Sequence, residues 1–573
     1  MQRDFPFRNY FLFLFKYFTI LYNDKLMRFS LKKAETKNDI SLKSKKVLVI
    51  EDFFNFRLTM KNMLRSFGVL YIDDATDGEE AIHKMTIRRF DVVLCDYNLG
   101  QGKSGQQVLE EARYRNYINY STVFIMVTAE NTLEMIMGAA EHQPDDYLMK
   151  PFAKEVLEKK IRSLIQKKEN FKEIDKAIAE NSYALAINLC DDLIAKSPRN
   201  LSELLKLKGE LLLKIGNYQE AYDFYEKVLL MGNVGWAELG RGKADLMLGN
   251  YLQAKVIFEG ILAKNDKIMA AYDYLAQTLA KLEKHKEAQQ VLMKATNISP
   301  RAIMRQKALG NLAYRNDDFS VAENSFKKAV EHGKYSCMRS PSDYTSLAKT
   351  LVHLDASEES LDVLNVALKE FPDSDEAKLH VSVTESYVYK KMNREEDARK
   401  AMAEANTIAE SIAGGIPPEV ELELAKTYIM MGEEEKGTKI IKRIVQCNYD
   451  REETIDIVKT VFKEVGREDN GQQFIDRAKD EIIALNNEGV ALTQEGRIEE
   501  AIDYFEKAAL HVPENKIINA NAAQVLMLYM KEYGVNEEKI AKTKMYLDMV
   551  KKIDDHYKDL PMLQAMYNEL VPG

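Results

Sequence analysis

The stretch "DVVLCDYNLGQGKSG", Asp91 to Gly105, decides how the front of the chain folds. Its apolar run reads as a buried strand, yet the run ends on an acid, Asp96. A carboxylate there gains nothing from core packing and resists desolvation. Taken alone, Asp96 caps the turn that follows. If the strand instead holds it at a site, its partners must lie at the ends of other strands.

Working outward, "KVLVIED" (Lys46–Asp52) is a second buried strand, followed by an amphipathic helix that ends at Gly68. "VLYIDDATDGEEAIHKM" gives strand, turn and helix, and "SGQQVLEEARYR" a further helix. "STVFIMVTAE" is a strand, "NTLEMIMGAAEH" a helix, "DDYLMKPF" a fifth strand and "AKEVLEKKIRSLIQKKE" a closing helix. Five such strand–helix units predict an α/β doubly wound domain with a five-stranded parallel sheet over 45–168. Sites in such sheets form at the carboxyl ends of the strands, near the point where strand order reverses.

Those ends carry Glu51 and Asp52, Asp96, Thr128, and Lys150 before Pro151. Each alone has an ordinary reading as a cap or a bend. Together they place three carboxylates, a hydroxyl and an ammonium on one edge of the sheet. Clustered acids raise each other's pKa unless a cation sits among them. Oxygen donors without histidine or cysteine favour a hard ion, and Mg²⁺ with several retained waters fits best. A metal, a lysine and a hydroxyl around one carboxylate suit phosphoryl transfer that leaves an aspartyl phosphate.

On these residues the segment resembles the receiver domain of two-component response regulators, which is flavodoxin-like. The resemblance implies Asp96 as phosphoacceptor, Asp52 as direct metal ligand and Glu51 as one acting mainly through water. It also implies a backbone carbonyl of Asn98 on the metal, Thr128 as the hydroxyl that moves toward the phosphoryl group, and Lys150 as its catalytic ammonium. Tyr147 matches the aromatic that turns inward on phosphorylation, while Asn98 and Glu130 occupy positions that tune hydrolysis of the acyl phosphate. Lys150–Pro151 is cis in that family. "ATDGEEA" (Ala75–Ala81) follows the family pattern, whereas Gly100 replaces a frequent proline in a loop about one residue longer.

Beyond Asn170 the strands stop and a repeat appears. "GNYQEA", "GNYLQA", "EKHKEA" and "DDFSVA" end on Ala221, Ala254, Ala288 and Ala322, close to the tetratricopeptide period of 34 residues. Small residues (Gly209, Gly242, Ala276, Gly310, Ala348, Gly489) precede the alanine-type position, and large ones (Tyr225, Phe258, Leu292, Phe326, Leu364, Phe505) follow it. A small residue is needed where paired helices approach; the large one fills space against the next unit. This part resembles a tetratricopeptide-repeat array: a linker helix and first degenerate pair over 169–200, then an all-α solenoid over 201–573 of roughly eight to ten helix pairs. Spacing stretches after residue 360, and 450–480 fits poorly. The concave face of such arrays binds a peptide or partner helix. By register Asp273, Gln277, Lys307, Asn311 and Asn486 point there, each with a plain alternative as a solvated polar residue. Trp236, the one tryptophan, reads as packing.

Composition bounds the function. The 573 residues are 46% hydrophobic and 30% charged with net charge −9, which opposes nucleic-acid binding; no helix-turn-helix unit with a basic recognition helix follows the receiver. Four dispersed cysteines give no zinc spacing and fit a reducing compartment. Residues 1–44 read as an extension, with Met27 as the expected start. Its aromatic run Phe5–Tyr22 is broken by Arg8, Asn9 and Lys16, so stable membrane insertion is not expected. Beyond the receiver's own phosphorylation and dephosphorylation, no enzyme motif appears. The expectation is a cytoplasmic, bacterial response regulator, phosphorylated by a sensor histidine kinase or histidine phosphotransfer protein. Its output would be protein binding by the array, with homodimerisation left open. The alternative is a constitutive scaffold whose receiver serves mainly for dimerisation.

Overall fold

The computed structural model describes residues 41–129, 144–196, 200–232, 234–412, 416–554 and 557–571. The chain divides into two compact units, 1–343 and 344–573. The sequence places its main boundary near residue 168, after the receiver. The first of the two compact units takes in the receiver together with the first repeats.

The sheet consists of β1 (Lys46–Ile50), β2 (Tyr71–Ala75), β3 (Val92–Asp96), β4 (Val123–Thr128) and β5 (Asp146–Met149). All pairings are parallel, in the order β2-β1-β3-β4-β5. Strand order therefore reverses between β1 and β3, where Glu51 and Asp96 emerge. The β3 and β4 strands are buried throughout, which explains their unbroken apolar runs. Among the described residues, four helices flank the sheet: α1 (Phe54–Ser66), α2 (Gly78–Ile87), α3 (Gly105–Tyr114) and α4 (Lys154–Lys168). Asp77 caps α2 through the Glu80 N–H, and Ser104 and Gln107 form a reciprocal capping box that starts α3. The helix expected between β4 and β5 lies outside the described residues, as does most of the 1–44 extension. Leu42 is buried in the core with Val47 and Val49, so the domain begins slightly before residue 45.

The rest of the 1–343 unit is helical hairpins: Lys172–Ala179 with Tyr183–Ala195, Leu201–Lys214 with Tyr218–Met231, Gly235–Met247 with Tyr251–Lys264, Met269–Lys281 with His285–Ile298, and Ile303–Arg315 with Phe319–Gly333. Each turns on a left-handed residue: Asn181, Gly216, Gly249, Glu283 or Asp317. The small-to-large pairing is direct. A Cβ on Gly209 would lie 2.5 Å from the Tyr225 ring, and one on Gly310 2.6 Å from Phe326. Tyr225 also blocks a Cβ on Gly240 of the following pair, at 2.3 Å. One ring thus fills space within its own unit as well as against the next.

The 344–573 unit continues the hairpins on its own core. The stretched spacing reflects longer helices, Asp375–Lys391 and Glu395–Ser411. The poor fit at 450–480 arises because Glu468–Gln494 is one 27-residue helix that runs through a repeat boundary. Pro417 and Pro418 open the helix Pro418–Met430. No helix among the described residues is long and apolar enough to cross a membrane.

Candidate functional site

The site is built from the carboxyl ends of β1, β3, β4 and β5. Ladder bonds hold these ends level: the Glu51 N–H donates to Ala75 O (3.1 Å), Tyr97 N–H to Val127 O (2.9 Å) and Lys150 N–H to Thr128 O (2.8 Å). Lys150 Nζ donates to Asp96 Oδ2 and to Glu51 Oε2, each at 2.7 Å, and lies 4.4 Å from the centre of the Phe56 ring. Glu51, Asp96 and Thr128 are all buried, while Asp52 is exposed. One cavity is lined by these four residues with Asn98 and Lys150. The Lys150–Pro151 bond is cis.

Burial raises the pKa of Asp96; Lys150 and the Asn98 N–H favour its charged form, and Asp52 opposes it. Burial likewise raises Glu51, against the hydrogen bond from Lys150. Burial works against the Lys150 ammonium, yet its bonds to Asp96 and Glu51 hold it above the usual range. Glu51 and Asp96 thus share the Lys150 ammonium with Asp52 beside them, a charge balance that favours a further cation. Ligand oxygens of Glu51, Asp52 and Asp96 lie within 4.8 Å of one another, and all are hard donors. The residues present fit Mg²⁺.

Two supports have only a faint sequence signal. Buried Arg57 donates through Nη1 to Glu51 O (2.6 Å) and Asp52 O (3.3 Å), and through Nε to Asp74 Oδ2 (3.1 Å). It therefore clamps the backbone carrying the acidic pair. The signal was its place on the buried stripe of α1 with Met60 and Leu64. Gly105 is the second: its N–H donates to Tyr97 O at 2.8 Å, and its lack of a side chain lets α3 begin directly beneath Asp96.

Tyr147 packs against the core formed by β3, β4, α2 and α3, and its hydroxyl is buried without a hydrogen-bond partner among the described residues. Burial pushes the phenol well above its ordinary range. Glu130 lies outside the described residues. In the array, Asp273 is held by Arg305 (2.7 and 2.8 Å), and Lys307 by Asp343 (2.8 Å) and Met338 O. Asn486 accepts from Asn521 at 2.7 Å. Gln277 and Asn311 are exposed. Trp236 packs edge-on to Tyr225, with ring centres 6.3 Å apart.

Residues 47–162 match the Response regulator receiver domain family. The chain is 32% identical over 122 residues to the chemotaxis protein CheY of Pseudomonas aeruginosa, covering 21% of this chain and 97% of that protein. This chain belongs to the response regulator receiver family. The receiver is also similar to the solved structure of Vibrio cholerae chemotaxis protein CheY4, with 27% identity, 21% of this chain and 98% of that one covered, and a TM-score of 0.20. Behind the receiver, residues 204–233, 270–301 and 482–515 match tetratricopeptide-repeat families. The C-terminal part of a TPR repeat-containing protein from Cytophaga hutchinsonii matches at 15% identity, covering 42% of this chain and 96% of that one with a TM-score of 0.35.

Proposed function

We propose that this chain is a phosphorylation-controlled response regulator whose output is protein binding by the repeat array. The observation that carries this is the Asp96 carboxylate, 2.7 Å from Lys150 Nζ and grouped with Glu51, Asp52 and Thr128 at the switch point of the sheet. An Asp96 oxygen attacks the phosphorus of a phosphohistidine on a sensor kinase or phosphotransfer protein. The P–N bond breaks, its electron pair stays on the imidazole, which takes up a proton, and an O–P bond forms. Lys150 keeps the nucleophile ionised and faces the charge that develops on the phosphoryl oxygens. Mg²⁺ held by Glu51, Asp52, Asp96 and the Asn98 carbonyl would supply the remaining positive charge.

Thr128 would donate to the transferred group, and Asn98 and Glu130 would set how fast water removes it. The receiver performs only this self-directed chemistry, so the chain is not an enzyme acting on other substrates. A cytoplasmic setting follows from the reading, because kinase and acceptor must share a compartment.

The decisive test is incubation with Mg²⁺ and acetyl phosphate, followed by mass spectrometry. An acid-stable, base-labile phosphoryl group should appear on Asp96 and vanish in Asp96→Asn. Partner capture by wild type and Asp96→Asn then separates a switch from a constitutive scaffold: equal capture would favour the scaffold.

A further inference from the structure

Three phenylalanines, Phe53, Phe54 and Phe56, come directly after the acidic pair Glu51 and Asp52. They sit differently. Phe53 and Phe54 are 62% and 63% exposed. Phe56 is half-buried, four and seven residues before Met60 and Met63, so the three share the apolar stripe of α1. That place alone reads as packing against the receiver core.

The contacts of the ring say more. The Lys150 ammonium lies 4.4 Å from the centre of the Phe56 ring while it donates to Glu51 Oε2 and Asp96 Oδ2, each at 2.7 Å. Phe152, two residues beyond Lys150, meets the same ring edge-on, with centres 5.7 Å apart and planes at 85°. Phe56 is therefore braced by the segment that carries the lysine. The next residue, Arg57, holds the carbonyls of Glu51 and Asp52. Two neighbours on one helical turn thus hold the backbone of the acids and the ammonium opposite them.

A ring face suits this place better than a polar group would. Its negative potential attracts a cation, most strongly where the cation has lost water. The Lys150 side chain is only 16% exposed. A carboxylate in the ring's position would add charge to acids that already repel. A ring adds none. It also captures no single N–H, so two of the three donors can serve Glu51 and Asp96 while the third turns toward a phosphoryl oxygen.

We propose that Phe56 is a positioning residue for phosphoryl transfer, its ring face holding the Lys150 ammonium where it meets both the Asp96 carboxylate and the incoming phosphoryl group. This rests on Asp96 as the phosphoacceptor, and the experiment reads the two separately.

The test is the initial rate at which the full chain, with Mg²⁺, takes label from acetyl phosphate. In that reaction an Asp96 oxygen forms the new O–P bond, the P–O bond to the acetyl group breaks, and acetate leaves with the electron pair. Phe56→Leu keeps an apolar side chain but removes the ring, and should slow labelling roughly fivefold. Phe56→Tyr keeps the ring and should restore the rate to within about twofold. The sharper probe replaces Phe56 by phenylalanine carrying one, two or three ring fluorines, which drain the face of negative potential at nearly constant shape. The rate should fall with each fluorine, by roughly fivefold in all, while the urea midpoint stays level. A packing role predicts no such series, because fluorine leaves the ring as apolar as before. A flat series, or one that only tracks the urea midpoint, overturns the role of Phe56 and leaves the phosphoacceptor intact. If the wild-type chain takes no label on Asp96, the phosphoacceptor and the positioning role fall together.

Discussion

Gly105 approaches Asp96 so closely that an added Cβ would lie 2.0 Å from the Asp96 carbonyl oxygen and 3.0 Å from Cys95 Sγ. The obstacle is main chain of a fully buried strand, which cannot swing aside. Gly105→Ala should therefore displace the start of α3 and the phosphoacceptor loop. We expect a loss of about 1–3 kcal/mol in unfolding free energy and slower labelling by acetyl phosphate. Urea unfolding and phosphoryl incorporation check the two effects. A variant with unchanged midpoint and rate would show that the contact is not limiting.

Arg57 supports the acidic pair without lining the cavity. Its guanidinium holds the carbonyls of Glu51 and Asp52 while Asp74, bonded also to Lys61 at 2.6 Å, anchors it from behind. Arg57→Gln should leave the sheet folded but let the β1–α1 loop drift, and Mg²⁺ affinity should fall roughly tenfold. Calorimetric titration with Mg²⁺ measures this. Arg57→Lys should recover only part, since a single ammonium cannot span three acceptors.

Much of this site was legible because parallel register brings strand ends to one edge. Once five apolar runs were found, Glu51, Asp52, Asp96, Thr128 and Lys150 had to converge. Arg57 was hard to see because a basic residue on an amphipathic helix ordinarily reads as surface. Its place on the buried stripe with Met60 and Leu64 was the signal available. The joint between α3 and the array left almost no trace, since one bond runs to the main-chain oxygen of His332 and another from a lone serine. In the array, glycine-to-aromatic spacing was informative because contact forces it, as between Gly209 and Tyr225. The helix Glu468–Gln494 defeated the period by carrying no break where one was expected.

Among the described residues, Lys150 is the one cation bonded to both Glu51 and Asp96. Lys150→Met keeps the length of the stem and its contact with Phe56 but leaves two buried acids facing each other. Phosphoryl transfer to Asp96 should fall by roughly 10²-fold or more. Stability should change far less, because either acid can take up a proton and relieve the repulsion. Comparing initial labelling rates with urea midpoints distinguishes this from a folding defect. A loss of rate that tracks a loss of stability would count against a direct role.

Glu423 belongs to a line of charges in the 344–573 unit. Burial disfavours its ionised form, but Lys349 at 2.6 Å and Lys426 at 3.3 Å hold its pKa down to about 2, against an ordinary 4.5. Lys426 is itself only 1% exposed and also pairs with Glu464. A depressed folded-state pKa stabilises the unit above the unfolded value and loses that contribution as pH falls from about 4.5 through about 2. At pH 7, Glu423→Gln should lower the urea midpoint, because Lys349 and buried Lys426 each lose a carboxylate partner, while Lys426 keeps Glu464. As pH falls through that window, the gap between variant and wild type should narrow. A gap that stays constant from neutral pH to pH 2 would mean that Glu423 supports the helices by packing and not by its charge.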